Sequence, residues 1–79
     1  MQNNASKEIN MQSIKLREEF IKLGQALKAA GLVDSGVEAK EAIQGGFVRV
    51  NGETDTRRGR KLHVGDVVSF NGEEIKIED

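Results

Sequence analysis

Apolar residues recur at helical spacing in the first half of the chain. Phe20, Leu23, Leu27 and Ala30 lie three or four positions apart, so they form one stripe along a helix. Gly31 follows this stripe, at the place where many helices end in a left-handed residue. The spacing predicts a helix over residues 18–30.

Residues 35–46 carry the signals of a second, shorter helix. Ser35 precedes Glu38 by three positions, the spacing of a capping box, and Gly45 and Gly46 close the segment. The four residues 31–34 between the two helices are few enough to make a helical hairpin. The expected inward face of the second helix consists of Val37 or Ala39, with Ala42 and Ile43.

After Gly46 the apolar period changes to that of a β-strand. Residues 47–50 predict a strand, and the dipeptide at 51–52, Asn-Gly, predicts a tight hairpin turn, because both residues tolerate positive φ. Residues 66–70 and 73–77 repeat the strand pattern around a second Asn-Gly pair. The C-terminal third is therefore predicted to be a small antiparallel sheet.

The first twelve residues are polar and show no period. We expect residues 1–12 to be a flexible arm and residues 13–79 to form a single domain. Ile14 and Leu16 alternate with polar neighbours, which indicates a short strand at the start of that domain.

The order strand, helix, helix and then several strands contains no βαβ crossover. It predicts the α+β class, with a two-helix hairpin packed on a small antiparallel β-sheet. The 79 residues are enough for one small domain, and a composition of 37% hydrophobic and 32% charged residues is that of a folded chain.

Several kinds of chemistry find no support in the composition. The chain has no cysteine, which excludes a thiol nucleophile, a disulfide framework and a zinc ribbon, and which favours the cytoplasm. His63, the single histidine, has no neighbours that complete a catalytic or metal-binding set, and no glycine motif for a nucleotide is present. We expect no enzymatic activity, metal, cofactor or small-molecule substrate. No signal peptide or membrane-spanning run is found, so no membrane association is expected.

Positive charge is concentrated in one segment of a chain whose net charge is −1. Five basic and two acidic residues between positions 49 and 61 give a local charge of +3. The core of this segment, RRGRK, lies between predicted strands, which would anchor it at both ends. Guanidinium groups match phosphate oxygens in a bidentate geometry. The predicted phosphate contacts are Arg57, Arg58, Arg60 and Lys61, with Lys28, Lys40, Arg49 and Asn51 as further candidates.

The scarcity of aromatic residues narrows the type of nucleic acid. The chain has three Phe and no Tyr or Trp, so it lacks the platform on which single-stranded bases stack. Structured or double-stranded RNA, recognised by its backbone, fits better. The amides of Gly36 and Val37 at the start of the second helix offer a further anion site. A plain solvated surface, a protein-interaction module that docks an acidic partner and double-stranded DNA binding remain alternatives.

Residues 23–66, LGQALKAAGLVDSGVEAKEAIQGGFVRVNGETDTRRGRKLHVGD, resemble the RNA-binding domain named after ribosomal protein S4, especially its small stand-alone bacterial members. The likeness extends over about residues 14–77. It implies the αL RNA-binding motif, in which the helix pair and the loop that follows the first hairpin strand bind RNA, and it implies neither catalysis nor a cofactor. The expected partner of this protein is ribosomal or other structured RNA. The protein is expected to be a monomer.

The chain departs from this family pattern at the starts of both helices. Many members read Arg-Leu-Asp where residues 22–24 are Lys-Leu-Gly, and Ser-Arg where residues 35–36 are Ser-Gly. Helix-borne contacts therefore rest on Lys22, Lys28 and Lys40, and the loop arginines are expected to supply more of the affinity.

Overall fold

The structure, a computed structural model, describes residues 10–79. Strands dominate this part of the chain, and the two helices are consecutive. The elements are β1 (Asn10–Lys15), β2 (Ile21–Lys22), α1 (Leu23–Ala29), α2 (Gly36–Gln44), β3 (Val48–Val50), β4 (Glu53–Thr54), β5 (Lys61–Leu62), β6 (Val67–Phe70) and β7 (Glu73–Glu78).

The main sheet has five strands in the order β1-β7-β6-β3-β4. The pairs β3–β4, β3–β6 and β6–β7 are antiparallel, whereas β1 pairs with β7 in parallel. The predicted α+β class is confirmed, but the sheet is mixed and not purely antiparallel. The parallel pair joins segments more than sixty positions apart, for example Ser13 with Lys76, so no local turn signal could reveal it.

The first strand begins earlier than the sequence suggested. β1 starts at Asn10, inside the segment 1–12 that was expected to be a flexible arm. The rest of that expected arm, residues 1–9, lies outside the described part of the chain.

The first helix is shorter than its apolar stripe. It begins at Leu23 and not at residue 18, because Ile21 and Lys22 pair with Leu62 and Lys61 as a separate two-stranded sheet, β2–β5. The remaining apolar stripe of α1 faces the core, where Leu23, Ala26 and Leu27 are fully buried.

Both helices end in a Schellman motif, which satisfies carbonyls that the helix leaves free. At the end of α1, Gly31 has φ +75° and the Leu32 amide donates to the Leu27 carbonyl at 3.0 Å. At the end of α2, Gly46 has φ +86°, and the amide of the next residue, Phe47, donates to the Ala42 carbonyl at 3.1 Å.

The predicted N-cap and turns are present. The Ser35 hydroxyl accepts a hydrogen bond from the Glu38 amide at 3.1 Å, while the Glu38 carboxylate accepts from the Asp34 amide at 2.6 Å, one residue before the position that a capping box uses. Both Asn-Gly pairs lie in hairpin turns with positive φ, 53° and 87° at residues 51–52 and 55° and 80° at residues 71–72.

The core lies between the helix pair and one face of the main sheet. Ala39 and Ile43 are the buried residues of α2, whereas Val37 is 67% exposed and does not belong to the inward face. Neither of the two helices within residues 10–79 has the length and apolar character that crossing a membrane requires. The buried apolar residues are Leu23, Ala26, Leu27, Val33, Ala39, Ile43, Val48, Val50, Leu62, Val68, Ile75 and Ile77.

Truncation of a core residue on α1 should destabilise the whole domain. We expect Leu27→Ala to lower the free energy of unfolding by about 2–5 kcal/mol, because it removes buried methyl groups and leaves a cavity. Val37→Ala is the control, with an expected change within about 0.5 kcal/mol, because Val37 is exposed. Urea unfolding followed by circular dichroism measures both, and equal effects would contradict the assignment of the core.

Candidate nucleic-acid interface

The basic loop, residues 55–60, is docked on the N-terminus of α1 through its own backbone. The Arg60 carbonyl accepts a hydrogen bond from the Leu23 amide at 2.8 Å, and the Arg58 carbonyl accepts one from the Gly24 amide at 3.1 Å. The first amides of a helix have no partner within the helix, so these two bonds satisfy donors that would otherwise be unpaired. The loop lies between strands β4 and β5, as predicted, and these two hydrogen bonds also fix it to the helix.

A buried carboxylate holds the loop from the inside. Asp55 is 6% exposed, and its side chain accepts hydrogen bonds from Arg57 Nε at 3.0 Å, from Arg57 Nη2 at 2.8 Å and from Arg60 Nη1 at 2.6 Å. The Arg57 backbone amide also donates to it at 2.9 Å. The hydrogen bonds from Arg57 hold the pKa of Asp55 well below its usual range, although burial acts in the opposite direction.

The four cations of the basic run are consequently not equivalent. The Arg60 side chain is 28% exposed and is turned towards Asp55, so it is a structural residue of the loop in this conformation. The Arg57 side chain is 69% exposed and keeps Nη1 free of Asp55, so it can still meet an anion. Arg58 and Lys61 have no ion pair within residues 10–79. The sequence predicted four similar phosphate contacts and did not predict that two of these side chains, Arg57 and Arg60, would bond to Asp55.

The free cations meet at a groove between the basic loop and the two helices, here called the basic groove. Its volume is about 330 Å³. Three cations line it, Lys22 before α1, Lys28 in the last turn of α1 and Arg58 in the loop, and none of them has an ion pair within the described residues. The complete lining is Lys22, Gly24, Gln25, Lys28, Gly36, Ala39, Arg58 and Gly59.

One lysine of the basic groove lies directly opposite a second lysine on the neighbouring strand. Lys22 of β2 and Lys61 of β5 are cross-strand partners, and like charges at such positions repel each other. The Lys61 ammonium lies 4.8 Å from the centre of the Phe20 ring, a cation–π contact that keeps it beside the sheet. An anion bound between the two lysines would relieve their repulsion.

Gly24 allows Arg58 to lie against α1. A Cβ atom at position 24 would be 2.9 Å from Arg58 Cγ and 3.5 Å from Arg58 Cδ, so the arginine side chain occupies the space that any other residue would need. The sequence reasoning missed this role and that of Asp55. The available signals were a glycine inside a predicted helix and an acid two positions before an arginine cluster.

The remaining candidates from the sequence lie outside the basic groove or have other partners. Lys40 is exposed on α2, one helical turn after Gly36, and is not part of the groove lining. Arg49 lies between two buried valines of β3 and therefore points to the face of the sheet opposite the core. The Asn51 amide group donates to Asp66 Oδ1 at 3.0 Å and accepts from the Val67 amide at 3.0 Å, which gives it a structural role in the turn.

Within residues 10–79, no three His, Cys, Asp or Glu side chains are grouped as metal ligands. Asp66 accepts a hydrogen bond from the backbone amide of His63 at 2.8 Å, so it fixes a turn.

The chain is similar in sequence to two bacterial proteins. The chain is 51% identical over 59 residues to the "Probable ribosome maturation protein RlbA" of Bacillus subtilis, an alignment that covers 75% of this chain and 83% of the relative. It is 39% identical over 61 residues to the "Putative RNA-binding protein YbcJ" of Escherichia coli, with 77% and 87% covered.

A solved structure has the same fold. The solution structure of YbcJ from E. coli, described as revealing an αL motif involved in RNA binding, superposes with a TM-score of 0.64 at 32% identity and covers 100% of this chain and 98% of that one. The family model of the S4 domain matches residues 14–78. The chain therefore belongs to the S4 domain family.

Proposed function

We propose that this protein is a non-enzymatic, cytoplasmic RNA-binding protein that holds the phosphates of structured RNA in the basic groove, acting as a monomer. The observation that carries the proposal is the convergence of Lys22, Lys28 and Arg58, three cations without an ion pair among the described residues, at one groove. Lys61, the cross-strand partner of Lys22, extends this set, and Arg57 keeps one guanidinium nitrogen free of Asp55.

The chemistry of the basic groove favours backbone recognition over base stacking. Its lining contains no aromatic residue, so a base has no ring on which to stack. Ammonium and guanidinium groups instead match phosphate oxygens, and such contacts position a protein on RNA by shape. Gly36 at the start of α2 lines the same groove, and its amide and that of Val37 can add uncharged donors to a phosphate.

Ribosomal RNA is the target class that we propose. The name of the B. subtilis relative refers to ribosome maturation and that of the E. coli relative to RNA binding, and the YbcJ structure is described by an RNA-binding motif. Maturing ribosomal RNA is rich in double-stranded segments, which present the regular phosphate rows that a rigid set of cations can follow.

Salt titration with a ribosomal RNA hairpin tests the phosphate contacts. If Lys22, Lys28, Arg58 and Lys61 neutralise about four phosphates, the logarithm of the binding constant should fall with the logarithm of salt concentration at a slope of about −3 to −4. Arg58→Ala should weaken binding about tenfold and flatten the slope by about 0.7–0.9. Arg49→Ala is the matched control and should leave both unchanged, because Arg49 lies on the opposite face of the sheet.

Two control ligands separate RNA binding from its alternatives. A DNA duplex of the same sequence tests whether the sugar matters, and polyglutamate of equal charge tests whether the groove accepts any acidic partner. Equal affinity for polyglutamate and the hairpin, or a hairpin affinity that does not depend on salt, would contradict the proposal.

Gly24→Ala should weaken RNA binding without unfolding the protein. Alanine favours a helix over glycine by about 1 kcal/mol, which offsets the cost of displacing Arg58, so the free energy of unfolding should stay within about 1 kcal/mol of the parent value. The affinity for the hairpin should fall because Arg58 is pushed away from the groove. In an Arg58→Ala background the same change should have no further effect, and additive losses would show that Gly24 does not act through Arg58.

Asp55→Asn should destabilise the domain in a pH-dependent way. Because the folded-state pKa of Asp55 is lowered, its contribution is fully present above the unfolded pKa of about 4 and is lost as the pH falls through the folded value. We expect a loss of about 1–3 kcal/mol at pH 7 that shrinks at pH 3, measured by urea unfolding. Glu53→Gln, which removes an exposed carboxylate nearby, should change stability by less than about 0.5 kcal/mol. A pH-independent difference would contradict the role of the carboxylate.

A further inference from the structure

A second groove, which RNA binding does not explain, lies between α2, the link that joins the two helices and the Asn-Gly turn at residues 71–72. Its volume is about 550 Å³, larger than that of the basic groove. We call it the aromatic groove, because Phe47 and Phe70 form one of its walls. Its complete lining is Leu32, Val33, Glu38, Glu41, Ala42, Phe47, Phe70 and Asn71.

The exposed aromatic ring in this groove is held in a fixed position. Phe47 is 70% exposed, and its amide is fixed by the Schellman motif at the end of α2. A Cβ atom on Gly45 would lie 2.8 and 3.0 Å from two carbons of the Phe47 ring, so the ring rests directly on the backbone of a glycine. Its exposure is therefore built into the fold.

The rim of the aromatic groove is acidic. Glu38 and Glu41 of α2 line it, and no cation does. A neighbouring groove shares Phe47, Phe70 and Asn71 with it and adds Glu73, Glu74 and one cation, Arg49. The two grooves together carry four glutamates against one arginine, which repels phosphate and attracts a cation.

Helix α2 separates the basic from the acidic surface. Gly36 and Ala39 line the basic groove, whereas Glu38 and Glu41, each two positions further on, line the aromatic groove. Successive residues turn by about 100° in a helix, so residues two positions apart face nearly opposite directions. RNA in the basic groove would thus leave the aromatic groove open.

We propose that the aromatic groove binds a basic segment of a partner protein that carries a large apolar side chain. The apolar walls would take up the anchor side chain, and the glutamates would pair with lysines or arginines on either side of it. An extended segment fits better than a compact small molecule, because the acidic rim continues through two adjoining grooves that share three lining residues.

The probe for this site is a capped synthetic peptide in which a Leu-Phe pair is flanked on each side by three lysines. A second peptide of the same charge, with Gly-Ser in place of Leu-Phe, is its control. Titration of the ¹⁵N-labelled full chain should shift the amides of Leu32, Ala42, Phe47 and Phe70, and the anchored peptide should bind at least about fivefold more tightly than its control.

Two protein variants test the two halves of the site separately. Phe47→Ala should weaken binding of the anchored peptide about fivefold to tenfold, whereas Val37→Ala, equally exposed on α2 but outside the groove, should not. Glu41→Lys should weaken it more than Glu19→Lys, which changes the net charge by the same amount at an exposed site outside the groove. Phe47→Ala should not alter the affinity for the RNA hairpin, because Phe47 lies outside the basic groove, so this proposal and that of RNA binding can fail independently.

Four results would overturn the proposal. The first is that the two peptides bind with equal affinity or that neither binds. The second is that Glu41→Lys and Glu19→Lys reduce the affinity for the anchored peptide equally. The third is that adding the RNA hairpin shifts amides of the aromatic groove, and the fourth is that these amides shift with protein concentration in the absence of peptide. The third would make the groove part of the RNA site, and the fourth would assign it to a second copy of this chain.

Discussion

The docking of the basic loop on the first turn of α1 is the contact on which the interface depends. The carbonyls of Arg58 and Arg60 accept hydrogen bonds from the amides of Gly24 and Leu23. The same two bonds therefore cap a short helix and orient a loop whose positive charges repel one another. A helix of seven residues is marginal alone, and a run of three arginines and one lysine is unfavourable when held together. The loop provides acceptors for the free amides of the helix, and the helix fixes the position of the loop. The Asp55 carboxylate offsets part of the positive charge of the loop through its contacts with Arg57 and Arg60.

The different contacts of the loop arginines explain how a slightly acidic chain can present a cationic surface. Arg60 is used to build the loop, while Arg58 is laid along α1 beside Lys28 and Lys22. The acids elsewhere are not spread evenly, since four glutamates gather around the grooves on the other side of α2. At physiological ionic strength charges more than about 8 Å apart are largely screened from each other, so the local arrangement counts for more than the sum of −1.

Local signals in the sequence predicted most of the elements but not their long-range partners. The N-cap at Ser35, the glycine-terminated helices and both Asn-Gly turns were correct, because each depends on residues within a few positions of one another. Two features were not predicted because they depend on segments distant in the chain. The first is β1, which begins early and pairs in parallel with β7. The second is the segment 21–22, which was predicted as helix and is a strand paired with β5. The basic run was likewise recognised, but the capture of two of its arginines by Asp55 depends on burial, which no pattern of charges reveals. The loop and helix contacts that we propose for RNA remain predictions.

The pairing of β1 with β7 also shapes the folding pathway. The helix pair and the two Asn-Gly hairpins can form from neighbours in the chain, whereas residues 10–15 must find residues 73–78 across nearly the whole domain. Closing so long a segment costs entropy that is recovered only when the rest of the sheet already exists. The β1 edge is thus expected to form late in folding and to exchange its amide protons more readily than the central strands β3 and β6.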